Sequence, residues 1–200
     1  MIVTLSNQYG SGALDIGKRV AARLGYQFVD EQLPVVVAKR LQTSPDAVDA
    51  EDAVPGMGER VLRGLEMGTP EMRAAGGETF EQACLREVQE AVRDYAAHGN
   101  VVFLGRGAGS ILGPRRDVLR VFMHAPRDWR IERVVELSGA DRRTAAEEVD
   151  RIDRSRKQYM RDHYDLDWTN ASGYDFCVDT ASFEPGAAAE LIEAAMRSRS

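Results

Sequence analysis

The sequence predicts an α/β fold, a central parallel sheet covered by helices on both faces, and three observations lead to it. Short apolar, β-branched runs recur along the chain, amphipathic helical patterns lie between them, and the runs are continuously apolar rather than alternating. Strands buried on both faces read in this way. With 200 residues, 44% of them hydrophobic and 29% charged, the chain can fill one full-sized core, so a single domain with an inserted lobe is expected.

In chain order, Ile2 to Leu5 is the first strand. A helix follows from about Gly12 to Leu24, with Ile16, Val20 and Leu24 on one stripe and Gly25 as its stop. Gly17 sacrifices roughly 1 kcal/mol of helix propensity, which a close approach to the sheet would explain. Tyr26 to Val29 is the second strand. From Glu31 to Gly77, helical pieces at Leu33 to Leu41 and Gly58 to Leu65 are broken by Pro45, Pro55 and Pro70, giving either a separate lobe or a long connection. Thr79 and Gln82 form a capping-box pattern that opens a helix to Ala97, and His98-Gly99-Asn100 ends it. Strands at Val101 to Leu104, Val118 to Met123 and Phe176 to Val178 complete the sheet. The remaining helices are expected at about Pro126 to Leu137, Arg142 to His163 and Pro185 to Arg197.

A net charge of -6 argues against general nucleic-acid binding. Negative charge gathers between Ser44 and Glu59, while Arg127 to Arg161 is dense in arginine. Such a local basic surface suits a small anionic ligand. Because Glu132, Glu136, Glu147 and Glu148 are interleaved with the arginines, a solvated helix is the alternative. No apolar run approaches the roughly 18 residues of a membrane span, and the start carries no secretory pattern, so no membrane partner and a cytoplasmic location are expected. Cys84 and Cys177 fit no metal or redox spacing and read as packed thiols; no metal-ligating side-chain set is visible.

The stretch "SNQYGSGALDIGKRV", Ser6 to Val20, is the first candidate site. A strand, a glycine turn and a helix start bring backbone N–H groups and the positive end of a helix dipole to one point, where phosphate is the natural occupant. The cradle is Gln8, Tyr9, Gly10, Ser11, Gly12 and Ala13. Aligned on Gly12, the full signature G-x-x-x-x-G-K-[ST] would need Gly at Asn7, Lys at Ala13 and a hydroxyl at Leu14. Lys18 is no substitute: five helical residues turn through about 500°, leaving it roughly 140° from position 13. A phosphate site and a structural turn both remain open on these residues alone.

Later residues favour phosphate. Gly105-Arg106-Gly107 puts an arginine at the carboxyl edge of a central strand, where open parallel sheets bind ligands and a guanidinium can fork onto a phosphate. Asp30 ends the second strand at the same edge, as a Mg²⁺ or substrate group or as a helix cap. In "DRIDRSRKQYMRDHY", Arg151, Arg154 and Arg161 share neighbouring faces beside Arg156 and Lys157, an arrangement suited to a lid over a triphosphate.

Together "SNQYGSGALDIGKRVAARLGYQFVD", "GNVVFLGRGAGSIL", "VFMHAPRDWRIERV" and "DRSRKQYMRDHYDLDWTNASGYDFCVDTA" resemble the cytidylate kinase-like family, relatives of the nucleoside monophosphate kinases. The resemblance covers about two-thirds of the chain. It implies a three-layer P-loop kinase-like domain over 1–200, with five parallel strands in the order 2-3-1-4-5, a helical acceptor insertion at about 31–78 and an Arg-rich lid at about 138–165. It further implies ATP and Mg²⁺ as cofactors, a nucleotide and a small phosphorylated acceptor as partners, and leaves a homodimer open. Carried over by position, Gly10, Ser11 and Gly12 match the phosphate loop, Arg106 an acceptor-phosphate arginine, and Arg130 and Arg133 the start of the lid. Asp153, Arg156 and Tyr159 match its D-x-x-R-x-x-Y pattern. Arg106, Arg154, Arg156 and Asp30 are thus the catalytic candidates, and the cradle with Arg130 and Arg133 the cofactor-binding ones. The departures are Ala13 for the loop lysine, Gly107 for an Asp after the matching arginine, and Asn7 where the family often has Arg. Two functions follow: ATP-dependent phosphoryl transfer to a small phosphorylated acceptor such as a nucleoside monophosphate, or a nucleotide-binding sensor with little or no catalysis.

Overall fold

The computed structural model describes residues 1–30, 32–46 and 79–199. In order, these form β1 (Ile2–Asn7), α1 (Ala13–Leu24), β2 (Gln27–Val29), α2 (Gln32–Leu41), α3 (Phe80–His98), β3 (Val101–Leu104), α4 (Ala108–Leu112) and β4 (Val118–His124). Then come α5 (Arg127–Ser138), α6 (Arg142–Tyr164), a 3₁₀ turn (Ala171–Gly173), β5 (Phe176–Asp179) and α7 (Pro185–Arg197). The helical piece expected at Gly58 to Leu65 lies outside the described residues.

All five strands run parallel in the order β2-β3-β1-β4-β5, the order that the resemblance implies. Ile2 is in register with Val101 on one side and Val118 on the other, so β1 lies in the middle. Alternate residues feed opposite cores. Ile2, Val101 and Phe103 pack with Leu33, Val37, Val88 and Val92 from α2 and α3. Val3, Leu5 and Val102 pack with Ile16, Val20 and Ile192 from α1 and α7. The apolar run at Leu33 to Ala38, open between core and contact surface in the sequence, gives Leu33, Val37 and Ala38 to the core and leaves Val35 exposed.

Local chemistry sets the helix ends. Gly17 lets α1 lie against the sheet: a Cβ there would come within 2.8 Å of the Phe28 ring and 3.0 Å of Leu5. The Thr79–Gln82 capping box forms at the start of α3. Asp141 caps α6 by accepting from the N–H groups of Arg143 and Thr144. Those caps and the α5–α6 hairpin aim α6 back across the carboxyl edge of the sheet, which is where both glycine loops emerge.

Candidate functional site

The first loop leaves β1 and turns on two glycines. Gly10 and Gly12 both sit at φ +80°, a left-handed conformation costly for any residue with a Cβ. At Gly10 space is short as well, because a Cβ would stand 2.8 Å from the Arg130 carbonyl oxygen. Gly12 is the N-cap of α1, and among the described residues no side chain caps it. The first N–H groups of α1 therefore keep their donors for another acceptor. Gln8 is an anchor: its N–H donates to the Met123 carbonyl (3.0 Å) and its Oε1 accepts from the Ala125 N–H (3.2 Å). That placement differs from the cradle role expected of it, and the reason is the neighbouring β4, whose end needs a partner.

Helix α6 closes down on this loop. The Asp153 carboxylate accepts from the Tyr9 N–H (2.9 Å) and from Arg130 (2.6 Å), while Arg130 also donates to the carbonyls of Tyr9 (2.8 Å) and Ala125 (3.1 Å). Arg130 is buried and lies off the cleft wall, so the structure uses it as a strut between loop and lid. Tyr9 donates its hydroxyl to Glu148 (3.0 Å); burial, then that bond and the Glu148 charge, raise its phenol above the usual range.

The second loop, Gly105-Arg106-Gly107, leaves β3 with three consecutive left-handed residues at φ +72°, +58° and +66°. For Arg106 this costs on the order of 1–2 kcal/mol, and a bulky residue held there points to a role for its side chain. Gly107 is covered by Tyr164, whose ring and hydroxyl would lie 2.8–2.9 Å from any Cβ at that position. Nothing in the residue pattern pointed to this partner beyond glycine standing where an Asp was expected.

Between the two loops and α6 lies a cleft of about 830 Å³. Arg106, Arg133, Arg151 and Arg156 line it, with Asp15 and Asp30 as the only counter-charges among the described residues. Arg156 donates to the Asn7 carbonyl (2.6 Å); burial opposes its charge, Asp153 and Asp30 support it, and Arg106 lies close enough to oppose it. Arg133 lays its guanidinium 3.1–3.3 Å from where a Gly12 side chain would begin and 5.6 Å from the Trp129 ring centre. Helical phase decides which lid arginines arrive. Arg151 and Arg156 face the cleft, whereas Arg154 is exposed, lies off the cleft and sits 3.5 Å from its own helix's Asp150 carbonyl. Arg154, expected among the catalytic residues, is thus replaced on the cleft wall by Arg151, one turn earlier.

Pairing separates the two sides of the lid. Outward, Arg127 pairs with Asp150 (2.7 Å), Arg143 with Glu147 (2.7 Å) and Arg142 with Asp128 (3.1 Å). Inward, Arg133 and Arg151 form no ion pair among the described residues, and the buried Nε of Arg133 and Oγ of Ser11 have no hydrogen-bond partner there. Buried donors without acceptors are uncommon, and each of these two lacks a partner among the described residues.

The cytidylate kinase-like family model matches residues 2–182. The chain belongs to the cytidylate kinase-like family. Among curated relatives, a cytidylate kinase of Haloarcula marismortui is 27% identical over 188 residues, covering 92% of this chain and 83% of that one. Among solved structures, an uncharacterized protein from Eubacterium ventriosum superposes with a TM-score of 0.72 at 20% identity over 99% of both chains. A shikimate kinase from Bacteroides thetaiotaomicron gives 0.52 at 14% identity over 98% of both. The fold is that of the P-loop kinases. No described helix is long and apolar enough to cross a membrane.

The loop's fit differs between the two cofactors that family membership suggests. A nucleoside triphosphate fits, since glycine-shaped space, the uncapped start of α1 and the Arg133 guanidinium adjoin at Gly12. Mg²⁺ does not fit the loop as an ion held there by a side-chain hydroxyl; among the described residues, Asp30 at the cleft is the carboxylate that would reach it through water. Leu14 stands at the hydroxyl position and is 42% exposed, Asp15 is paired with Arg19 (3.0 Å), and no group of three His, Cys, Asp or Glu that could hold a metal exists among the described residues.

Proposed function

We propose that this protein transfers a phosphoryl group from ATP to a small phosphorylated acceptor, with a nucleoside monophosphate as the first candidate. The observation that carries this reading is the convergence of four arginines, two of them without ion pairs among the described residues, on a cleft flanked by two glycine loops. Such charge suits two phosphate groups meeting end to end. The amides of Gly10, Gly12 and Ala13 and the Arg133 guanidinium would hold the donor phosphates. Arg106 would hold the acceptor phosphate at the other rim, and Arg151 and Arg156 would face the oxygens on which charge spreads during in-line transfer.

An acceptor phosphate has its second pKa near 6 and arrives ionised at neutral pH, so the nucleophile needs no general base. Asp30 then positions the acceptor and supports Arg156 rather than taking a proton. The similarity to archaeal cytidylate kinases supports a nucleotide acceptor. A coupled ADP-release assay across nucleoside monophosphates tests the reading: turnover with at least one, lost in Arg106→Ala, is expected. Ala13 in place of the loop lysine favours a second reading, a nucleotide-binding protein without appreciable catalysis. ATP binding by calorimetry with no ADP formed on any acceptor would select it.

A further inference from the structure

We propose that the first loop binds the triphosphate as its metal-free anion, with Arg133 and Arg151 supplying the positive charge that a loop-held divalent cation supplies elsewhere. This deepens, and rests on, the donor-site reading above. Three independent features of the chain support it.

Leu14 removes the hydroxyl that would hold Mg²⁺ against the loop and puts a partly exposed apolar side chain there. Leu137, 76% exposed, adds a second apolar residue to the same rim of the cleft. A strongly hydrated cation that dehydrates reluctantly gains nothing from such a rim. Conversely, the guanidinium of Arg133 lies against Gly12, at the start of α1 where phosphate amides converge, and its buried Nε has no acceptor among the described residues. Arg151 acts on the charge of Tyr9 in the same loop and forms no ion pair among the described residues. Two such arginines carry the same formal charge as one divalent ion. They are less strongly hydrated than Mg²⁺ or an ammonium group, and their planar forks match phosphate oxygens. The site therefore carries its own cations, attached to α5 and α6.

The test is isothermal titration of the full chain with ATP in EDTA and again in excess Mg²⁺ at matched ionic strength. Binding in Mg²⁺ is expected to be no tighter than in EDTA, because Mg²⁺ neutralises part of the nucleotide's charge without adding a protein contact. Arg133→Ala and, separately, Arg151→Ala should each weaken binding in EDTA by about tenfold or more, the scale of a lost charge-assisted bond, with unfolding midpoints measured to confirm that both variants fold. Adding Leu14→Thr to Arg133→Ala should restore binding in Mg²⁺ but not in EDTA. Binding that is tenfold or more tighter with Mg²⁺, or unchanged in EDTA by both arginine substitutions, overturns the inference and leaves the donor site standing. ATP binding in neither buffer overturns the donor-site reading together with it.

Discussion

The two glycine loops at the carboxyl edge of the sheet are built alike and charged differently. Each follows a strand, turns through left-handed glycines, and ends on a glycine N-cap with no side-chain cap among the described residues: Gly12 at φ +80°, ψ 15° and Gly107 at φ +66°, ψ 12°. Between the glycines, the first loop has buried Ser11 and imports its cation from α5, while the second carries Arg106 on its own strained backbone. On the proposed donor-site reading, the difference teaches how a phosphate loop can lose its lysine and keep its ligand class. Backbone geometry and charge are separable parts, and charge can come from any element that reaches the same point.

The sharpest way to break the comparison is to spoil one glycine in each sense. Gly10→Ala adds a Cβ that meets fixed backbone and forces a left-handed alanine, so a loss of about 2–4 kcal/mol is expected. Gly12→Ala meets only the movable end of Arg133 and should cost roughly half as much. Urea unfolding of the two variants checks the order, and equal losses would mean that Arg133 is as rigid as the Arg130 backbone. Next in size, Arg106→Gly should weaken acceptor binding by about 1.5–3 kcal/mol, the value of a charge-assisted bond, yet leave the fold as stable or up to about 1 kcal/mol more so. Calorimetry and thermal unfolding of the same variant read both numbers.

Alkaline pH should act on both loops, through the raised phenol of Tyr9 in the first and of Tyr174 behind the second. The second loop is backed by aromatic rings: Tyr164 on Gly107, and behind it Phe122 with Tyr174 stacked at 4.9 Å and Trp168 edge-on at 5.7 Å. Burial pushes the Tyr174 phenol to about 12, and it donates to the Trp168 carbonyl (2.8 Å). Its pKa is raised on folding, so its stabilisation is complete below about pH 10, the unfolded value, and is lost as pH rises through 12. Stability measured from pH 8 to 12 should fall over the last two units, and Tyr174→Phe should flatten that fall. The smallest effect is expected from Arg154→Ala: within about 0.5 kcal/mol in stability, with ATP binding unchanged, whereas Arg151→Ala weakens it.

Much of this architecture was legible in the chain because two periods wrote it. Continuous apolar runs marked every strand, and the Thr79–Gln82 box and Gly25 marked helix ends within a residue or two. Four-residue strand predictions stretched to six for β1 because Ser6 and Asn7 still pair with β4 although they are polar. The short α4 went unpredicted, since Ala108 to Leu112 is too brief to show a helical period. The site was legible in kind but not in detail. Arg106, Arg156 and Asp30 share the cleft as their positions at strand ends and on the lid suggested. Arg154 and Arg151 differ by one turn of α6, and only the docking of that helix on Tyr9 and Asn7 decides between them. Arg130 looked like its neighbour Arg133 in sequence, yet tertiary contact turned one into a strut and left the other facing the loop.

The backbone at position 106 sets a conflict between two kinds of selection. A library randomised at Arg106 and sorted only for folded protein would enrich Gly and Asn, which enter the left-handed region at least cost. Sorted for ligand, the same library would return to arginine. The distance between those two winning sequences measures, at a single codon, how far this loop's chemistry stands from the choice that folding alone would make.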